Sequence, residues 1–103
     1  MEYFDDDITE LKNIIENKNI ILKFYADWCK NCKIINEVVD NYCKLYNFKC
    51  ISINIDNNPS IMEYYNVEKL PTIIMNDTEK IVGSSKIIEK LETIEIFDIS
   101  EDF

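Results

Sequence analysis

The stretch IILKFYADWCKNC, residues 20–32, constrains the fold more than any other part of the sequence. Its first seven residues form a nearly continuous apolar run, which predicts a strand buried at the centre of a sheet. The pair Cys29 and Cys32 follows at once, where the next helix is predicted to begin. The fold must therefore place two thiols at the junction of a buried strand and a helix.

Hydrophobic periodicity predicts that strands and helices alternate along the rest of the chain. The other predicted strands are MEYF at the N-terminus, CISINID from Cys50, and a hairpin of TIIM and KIV joined by NDTE. The predicted helices cover residues 8–15, residues 32–46 without a proline kink, a short segment after the cap Asn58 and Pro59, and residues 87–94 capped by Ser84 or Ser85. The acidic tail FDISEDF gives no clear signal for either element.

This order of elements predicts the fold class. Early alternation implies parallel βαβ units, and the late hairpin adds antiparallel strands. The expected architecture is α/β, with a small mixed sheet and helices on both of its faces. A chain of 103 residues has room for one modest core, so we expect a single domain over residues 1–103.

The charge balance excludes several kinds of partner. The chain has 20 acidic residues against 11 lysines and a formal charge of −9, which disfavours binding to nucleic acid or to an anionic membrane surface. The first ten residues lack the features of a signal peptide, and no apolar run approaches the roughly 20 residues of a membrane span. We therefore expect a cytoplasmic protein, where CxxC pairs are more often metal-binding or catalytic than structural.

A metal site is the main competitor for the cysteine pair. A structural zinc site needs four ligands, and the chain has no histidine. Cys43 lies three helical turns beyond Cys32, too far along the helix to share a metal ion with it. An iron–sulfur cluster shared between two chains is a lesser alternative. We expect neither a metal nor an organic cofactor.

The position of the pair favours thiol chemistry instead. At the start of a helix, Cys29 meets backbone N–H groups that have no partner within the helix, and these favour the thiolate. Cys32 lies one turn further on and can close a disulfide. A CxxC pair between a strand and a helix of a βαβ unit is typical of a thioredoxin-like redox site.

Four segments together resemble the thioredoxin family. They are FYADWCKNCK at residues 24–33, NIDNNP at 54–59, LPT at 70–72 and the lone glycine, Gly83. The resemblance implies the thioredoxin fold, a cis Leu70–Pro71 bond, and reduction of protein disulfides with Cys29 as nucleophile and Cys32 as resolving thiol. It also implies a monomer that is re-reduced by a flavin-dependent thioredoxin reductase.

The resemblance further implies a substrate-binding surface around the pair. It places Trp28 beside the thiols, and the loop before the fourth strand opposite them, where an extended substrate would bind as an added strand. The residues implied for this surface are Trp28, Lys30, Asn31, Leu70, Pro71, Thr72 and Gly83.

Two departures from the family pattern affect the expected chemistry. Lys30 and Asn31 stand where thioredoxins typically have Gly-Pro, which should make the pair more oxidising. Lys23 stands where the family has a buried aspartate beneath the second cysteine. Lys23 could tune Cys32 as a neutral base, or it could simply reach solvent.

Alternatives stay open for the other cysteines and for the function. Cys43 and Cys50 could form a second disulfide or a regulatory thiol, but we expect reduced cysteines that pack in the core. The alternative functions are a more oxidising, isomerase-like or partner-dedicated redox protein and a binding module of the same fold. The intact CxxC pair counts against the binding module.

Overall fold

One mixed five-stranded sheet organises the protein, with the strand order β1-β3-β2-β4-β5. The computed structural model describes residues 2–3, 12 and 19–101, with side chains for residues 12 and 19–92. The strands are β1 (Glu2–Tyr3), β2 (Ile20–Tyr25), β3 (Lys49–Asn54), β4 (Thr72–Met75) and β5 (Glu79–Val82). β3 runs parallel to β1 and β2, whereas β4 runs antiparallel to β2 and β5. The predicted mixed sheet and late hairpin are confirmed.

Four helices are described in full. They are α1 (Lys30–Ile34), α2 (Asn36–Tyr46), α3 (Pro59–Tyr64) and α4 (Ser84–Glu101). The helix predicted over residues 8–15 lies outside the described residues except for Lys12, which is helical. None of the described helices combines the length and the apolar character that a membrane crossing requires.

Successive residues of β2 point to opposite faces of the sheet, and helices cover both faces. Leu22 and Phe24 pack in a core cluster with Ile61 of α3. Ile21 packs on the other face in a cluster with Val39 of α2 and Leu91 of α4. The prediction of helices on both faces is therefore confirmed.

The helix predicted over residues 32–46 is interrupted at Ile35, so the prediction of an unbroken helix was wrong. Ile35 has a ψ of −8°, far from the helical value of about −42°. Its side chain is fully buried, in the same core cluster as Val39. The apolar periodicity continues through the interruption, which is why it gave no sign of a break.

Both ends of α4 differ from the prediction. The helix starts at Ser84, and the N–H of Ile87 donates to the carbonyl of Gly83 at 3.0 Å. Gly83, and neither Ser84 nor Ser85, therefore holds the cap position. The helix also continues through most of the acidic tail as far as Glu101, where the sequence gave no assignment.

The predicted start of α3 is correct in position but not in mechanism. Asn58 holds the cap position and Pro59 the first helical position. The side chain of Asn58 makes no capping hydrogen bond to the helix. Its amide instead donates to the carbonyl of Asn54 at 2.8 Å, which ties the helix start to the end of β3.

Cys43 and Cys50 are both reduced; Cys50 of β3 is buried in the core, and Cys43 of α2 is partly buried and packs against the same cluster. A hydrogen bond to Cys50, followed by burial, raises the pKa of the Cys43 thiol. The same hydrogen bond lowers the pKa of Cys50, because it stabilises the Cys50 thiolate. The expectation of reduced, core-packed cysteines is confirmed.

Tyr42 lies at the centre of an aromatic group between α2 and β3. Its ring centroid is 4.6 Å from that of Tyr46 and 5.3 Å from that of Phe48. Burial raises the pKa of Tyr42 above its usual value, although the nearby Lys90 ammonium acts in the opposite direction. The buried phenol is therefore harder to ionise in the folded chain than in the unfolded one.

We expect Tyr42→Phe to flatten the loss of stability at alkaline pH. A raised phenol pKa gives stability that is fully present below the unfolded value of about 10 and is lost as the pH rises through the folded value. The variant has no phenol to ionise, so its urea midpoint should fall less steeply than that of the wild type above about pH 10. If the urea midpoints of the two proteins fell equally steeply with pH, the raised pKa of Tyr42 would be contradicted.

Candidate active site

Cys29 and Cys32 form a disulfide at the point where β2 passes into α1. Their Cα atoms are 5.4 Å apart, and both residues are largely buried, Cys29 at 8% and Cys32 at 2% exposure. Cys29 holds the cap position of α1, and its Sγ accepts the backbone N–H of Cys32 at 3.2 Å. An N–H donated to this sulfur favours the thiolate once the disulfide is reduced.

A groove of about 480 Å³ opens beside Cys29. Trp28 and Leu70 line this groove together with Cys29, as predicted for a common surface. Its remaining lining was not predicted and consists of Ile55, Met62, Val67 and Glu68. The sequence offered no signal for these four, because they come from α3 and the two loops that flank it.

Trp28 lies at the rim of the groove and is 67% exposed. Its indole N–H donates to the carboxylate of Asp56 at 3.0 Å. The N–H of Asp56 donates in turn to the side chain of Asn54 at 2.9 Å. The segment NIDNNP therefore orients the tryptophan, a role of Asp56 that the sequence did not reveal.

The LPT segment forms the predicted cis Leu70–Pro71 bond next to the cysteines. Leu70 packs against the small cluster that contains Cys29 and Cys32. Thr72 is fully buried, and its hydroxyl donates to the carbonyl of Lys69 at 2.6 Å. The Thr72 side chain therefore holds the loop together, and contact between Thr72 and a substrate stays a prediction.

Gly83 connects this loop to α4. Its N–H donates to the carbonyl of Pro71 at 2.8 Å, and its φ is +94°. Side chains rarely adopt this φ, which explains why glycine stands here. The observed role is structural, and a direct contact between Gly83 and a substrate also stays a prediction.

Lys23 is buried beneath the active site, with only 3% of its surface exposed. The interpretation in which it reaches solvent was therefore wrong. Its ammonium donates to the side-chain oxygen of Asn36, the first residue of α2, at 2.5 Å. Lys30 and Asn31, by contrast, are exposed at the start of α1.

A model of the thioredoxin family matches residues 2–98, which include the whole site. The chain belongs to the thioredoxin family. It is 30% identical over 91 residues to a thioredoxin of Buchnera aphidicola from Acyrthosiphon pisum, with 84% of each chain covered. It is 34% identical to Thioredoxin-T of Drosophila melanogaster, where the match covers 84% of this chain and 60% of the fly protein.

Solved structures of thioredoxins share the fold. Mitochondrial thioredoxin 3 of Saccharomyces cerevisiae has a TM-score of 0.78 at 22% identity, over 90% of this chain and 94% of the yeast chain. The thioredoxin of Trypanosoma brucei brucei has a TM-score of 0.74 at 22% identity, over 93% of this chain and 89% of the trypanosome chain.

Family membership and the Cys29–Cys32 disulfide together establish the chemistry of the site. The chain is a thiol–disulfide oxidoreductase with a redox-active CxxC pair. The expected fold, family and reaction type are therefore confirmed.

We expect Gly83→Ala to destabilise the fold by about 1–2 kcal/mol, because alanine is strained at positive φ. Apart from its chain neighbours, no described residue has an atom within 4 Å of the position that the new Cβ would occupy, so the effect is backbone strain and not a clash. Ser85→Ala, in the exposed first turn of α4, is the control and should change stability by less than about 0.5 kcal/mol. Urea unfolding measures the stability of both variants. A midpoint of Gly83→Ala equal to that of the wild type would refute the strain assigned to residue 83.

Proposed function

We propose that the chain reduces disulfides in other proteins, with Cys29 as the nucleophile and Cys32 as the resolving thiol. The observation that supports these roles is the contrast between the two cysteines. Cys29 lines the open groove, whereas Cys32 is almost fully buried behind it. A substrate disulfide in the groove can therefore meet Cys29 first.

The proposed reaction has two exchange steps. The Cys29 thiolate attacks one sulfur of the substrate disulfide; a Cys29–substrate bond forms, the substrate bond breaks, and the other substrate sulfur leaves as a thiolate that takes up a proton. Cys32 loses its proton and attacks Cys29, which releases the second substrate thiolate. The substrate disulfide gains two electrons and becomes two thiols, and the protein is left with an oxidised Cys29–Cys32 disulfide.

The groove suggests how a substrate binds. Trp28, Leu70 and the other apolar residues of the groove offer a surface for the side chains that flank a substrate cysteine. We propose that the loop at Leu70 and Pro71 pairs with an extended substrate segment through backbone hydrogen bonds. Lys30 and Asn31 are exposed next to Cys29, and we assign them to the rim of the same surface.

The reaction leaves the protein oxidised, so it requires an electron donor. We propose a flavin-dependent thioredoxin reductase in this role, which makes the chain an electron carrier between that enzyme and protein disulfides. We further propose that it acts as a monomer in the cytoplasm and maintains the redox balance of the cell. The charge of −9 fits a protein that binds neither nucleic acid nor anionic lipid.

Substitution of the two cysteines should separate the two steps. We expect Cys29→Ser to abolish catalysis of insulin reduction, so that the rate falls to that of dithiothreitol alone. Cys32→Ser should instead accumulate a covalent adduct with the substrate, visible on a non-reducing gel, because the mixed disulfide cannot be resolved. Cys43→Ser is the control and should retain wild-type activity. Full activity of Cys29→Ser would overturn the proposal.

The residues between the cysteines should set an intermediate redox potential. We expect about −260 to −220 mV, between about −270 mV for thioredoxin and about −180 mV for protein disulfide isomerase. Lys30 stabilises the reduced thiolate, but its exposure limits its own shift to about 10–20 mV. The absence of the buried aspartate that the family has beneath Cys32 acts in the same direction, and we assign the rest of the range to it. Lys30→Gly combined with Asn31→Pro should return the potential toward about −270 mV.

Equilibration with glutathione buffers measures both potentials. A wild-type value above about −200 mV would contradict the proposed reductant. It would identify the more oxidising, isomerase-like alternative.

A further inference from the structure

A second cavity, of about 240 Å³, lies on the opposite side of the disulfide from the groove. Among the residues that the structure describes, none lines both spaces: Cys29 lines the groove, and Cys32 lines the cavity. The cavity lies between β2, β3 and the helices α1 and α2, and most of the residues that line it have polar or charged side chains. Besides Cys32, the lining residues are Lys23, Tyr25, Ala26, Asp27, Lys33, Asn36, Asp40 and Ser52.

Two of the polar groups that line this cavity are deeply buried. Lys23 of β2 and Ser52 of β3 are paired in the sheet, with 3% and 1% exposure. The Ser52 hydroxyl has no hydrogen-bond partner among the described residues. A buried hydroxyl without a protein partner normally binds water, and this volume can hold several water molecules. The space beneath Cys32 is therefore suited to accept and pass on a proton.

The charges around Cys32 differ in how strongly water screens them. Asp27, Lys33 and Asp40 also face the cavity, but all three are exposed to solvent. Because water screens exposed charges, the two carboxylates and the ammonium of these residues act only weakly on the Cys32 thiol. Lys23 is the charged residue of this lining that is buried, and Asn36 fixes the position of its ammonium. Its field on Cys32 should therefore exceed that of the exposed groups.

We infer that Lys23 is a positioning residue for the resolving step, and that its buried ammonium stabilises Cys32 as a thiolate. The inference rests on the proposed function, in which Cys32 resolves a mixed disulfide. In that step the Cys32 thiol gives its proton to water in the cavity, and its sulfur attacks Cys29. The Cys29–Cys32 bond forms, the Cys29–substrate bond breaks, and the bonding electrons leave with the substrate sulfur.

A cation and a neutral amine at residue 23 make different predictions. A neutral lysine would act as a base that removes the Cys32 proton, whereas the ammonium acts by its charge alone. Arginine cannot be deprotonated in proteins, so Lys23→Arg keeps the charge and abolishes any base. Lys23→Met removes both the positive charge and any base at this position. The two substitutions therefore separate the inferred role from the alternative.

The experiment titrates Cys32 directly, in a Cys29→Ser background that leaves its thiol free. In proteins labelled with carbon-13 in cysteine, the NMR chemical shift of the β-carbon changes when the thiol becomes a thiolate. The Cys32 signal is the one that is present in Cys29→Ser and absent from Cys29→Ser/Cys32→Ser. We expect Lys23→Met to raise the Cys32 titration midpoint by about one pH unit. At a pH below both midpoints, the variant would then have about tenfold less Cys32 thiolate than its parent. Lys23→Arg should stay near the parent midpoint. Lys44→Met, which removes an exposed cation from α2, is the control and should leave the midpoint unchanged.

Asn36→Asp provides a second, surface variant if Lys23→Met does not fold. The added carboxylate would neutralise the ammonium, so the Cys32 midpoint should again rise. An unchanged midpoint in Lys23→Met, or in Asn36→Asp if Lys23→Met does not fold, would overturn the inference. A midpoint in Lys23→Arg that matches Lys23→Met would also overturn it, in favour of the neutral base.

The same substitutions in the protein with both cysteines give the functional readout. The pH at which insulin reduction reaches half its maximal rate should rise in Lys23→Met and not in Lys23→Arg. A wild-type protein that fails to reduce insulin at any pH would instead refute the proposed function. That result would leave the carbon-13 titration as the independent test of Lys23.

Discussion

β2 is hydrogen-bonded to β3 on one side and to β4 on the other, and the arrangement of the site depends on this central strand. Its alternating side chains fill one core with Leu22 and Phe24 and direct Ile21 and Lys23 into the opposite face. Its end delivers Cys29 to the start of α1. A one-residue shift in the register of this strand would exchange its two faces, so the positions of the thiols and of the buried lysine are set together.

Much of this arrangement could be predicted from local patterns. The apolar run of β2, the cysteine spacing and the segments NIDNNP and LPT each depend on residues close together in the sequence. The local patterns predicted the sheet and the proximity of the two cysteines, whereas the cis bond before Pro71 was predicted only through the resemblance to the thioredoxin family. The reversal between β4 and β5 was equally local, since Asn76 and Asp77 both adopt the positive φ that these residue types tolerate.

Features that depend on packing between distant segments could not be predicted in this way. The interruption at Ile35 preserves the apolar spacing, so periodicity passes through it unchanged. The hydrogen bond from Trp28 to Asp56 joins two loops that are far apart in the sequence. Lys23 is buried and donates a hydrogen bond to Asn36 of the next helix, a contact between two elements that the local pattern around Lys23 did not indicate. The role of Gly83 as a cap likewise depends on its hydrogen bond to Pro71.

The groove and the cavity lie on either side of the disulfide, so in the proposed reaction the substrate and the proton would use separate entrances. A substrate protein bound against Trp28 and Leu70, as proposed, would cover the sulfur of Cys29 and leave the cavity beside Cys32 uncovered. The second half of the exchange therefore does not have to wait for the bound protein to loosen. A tightly bound substrate can be released by the chemistry itself, because the leaving sulfur is the one that held it in place.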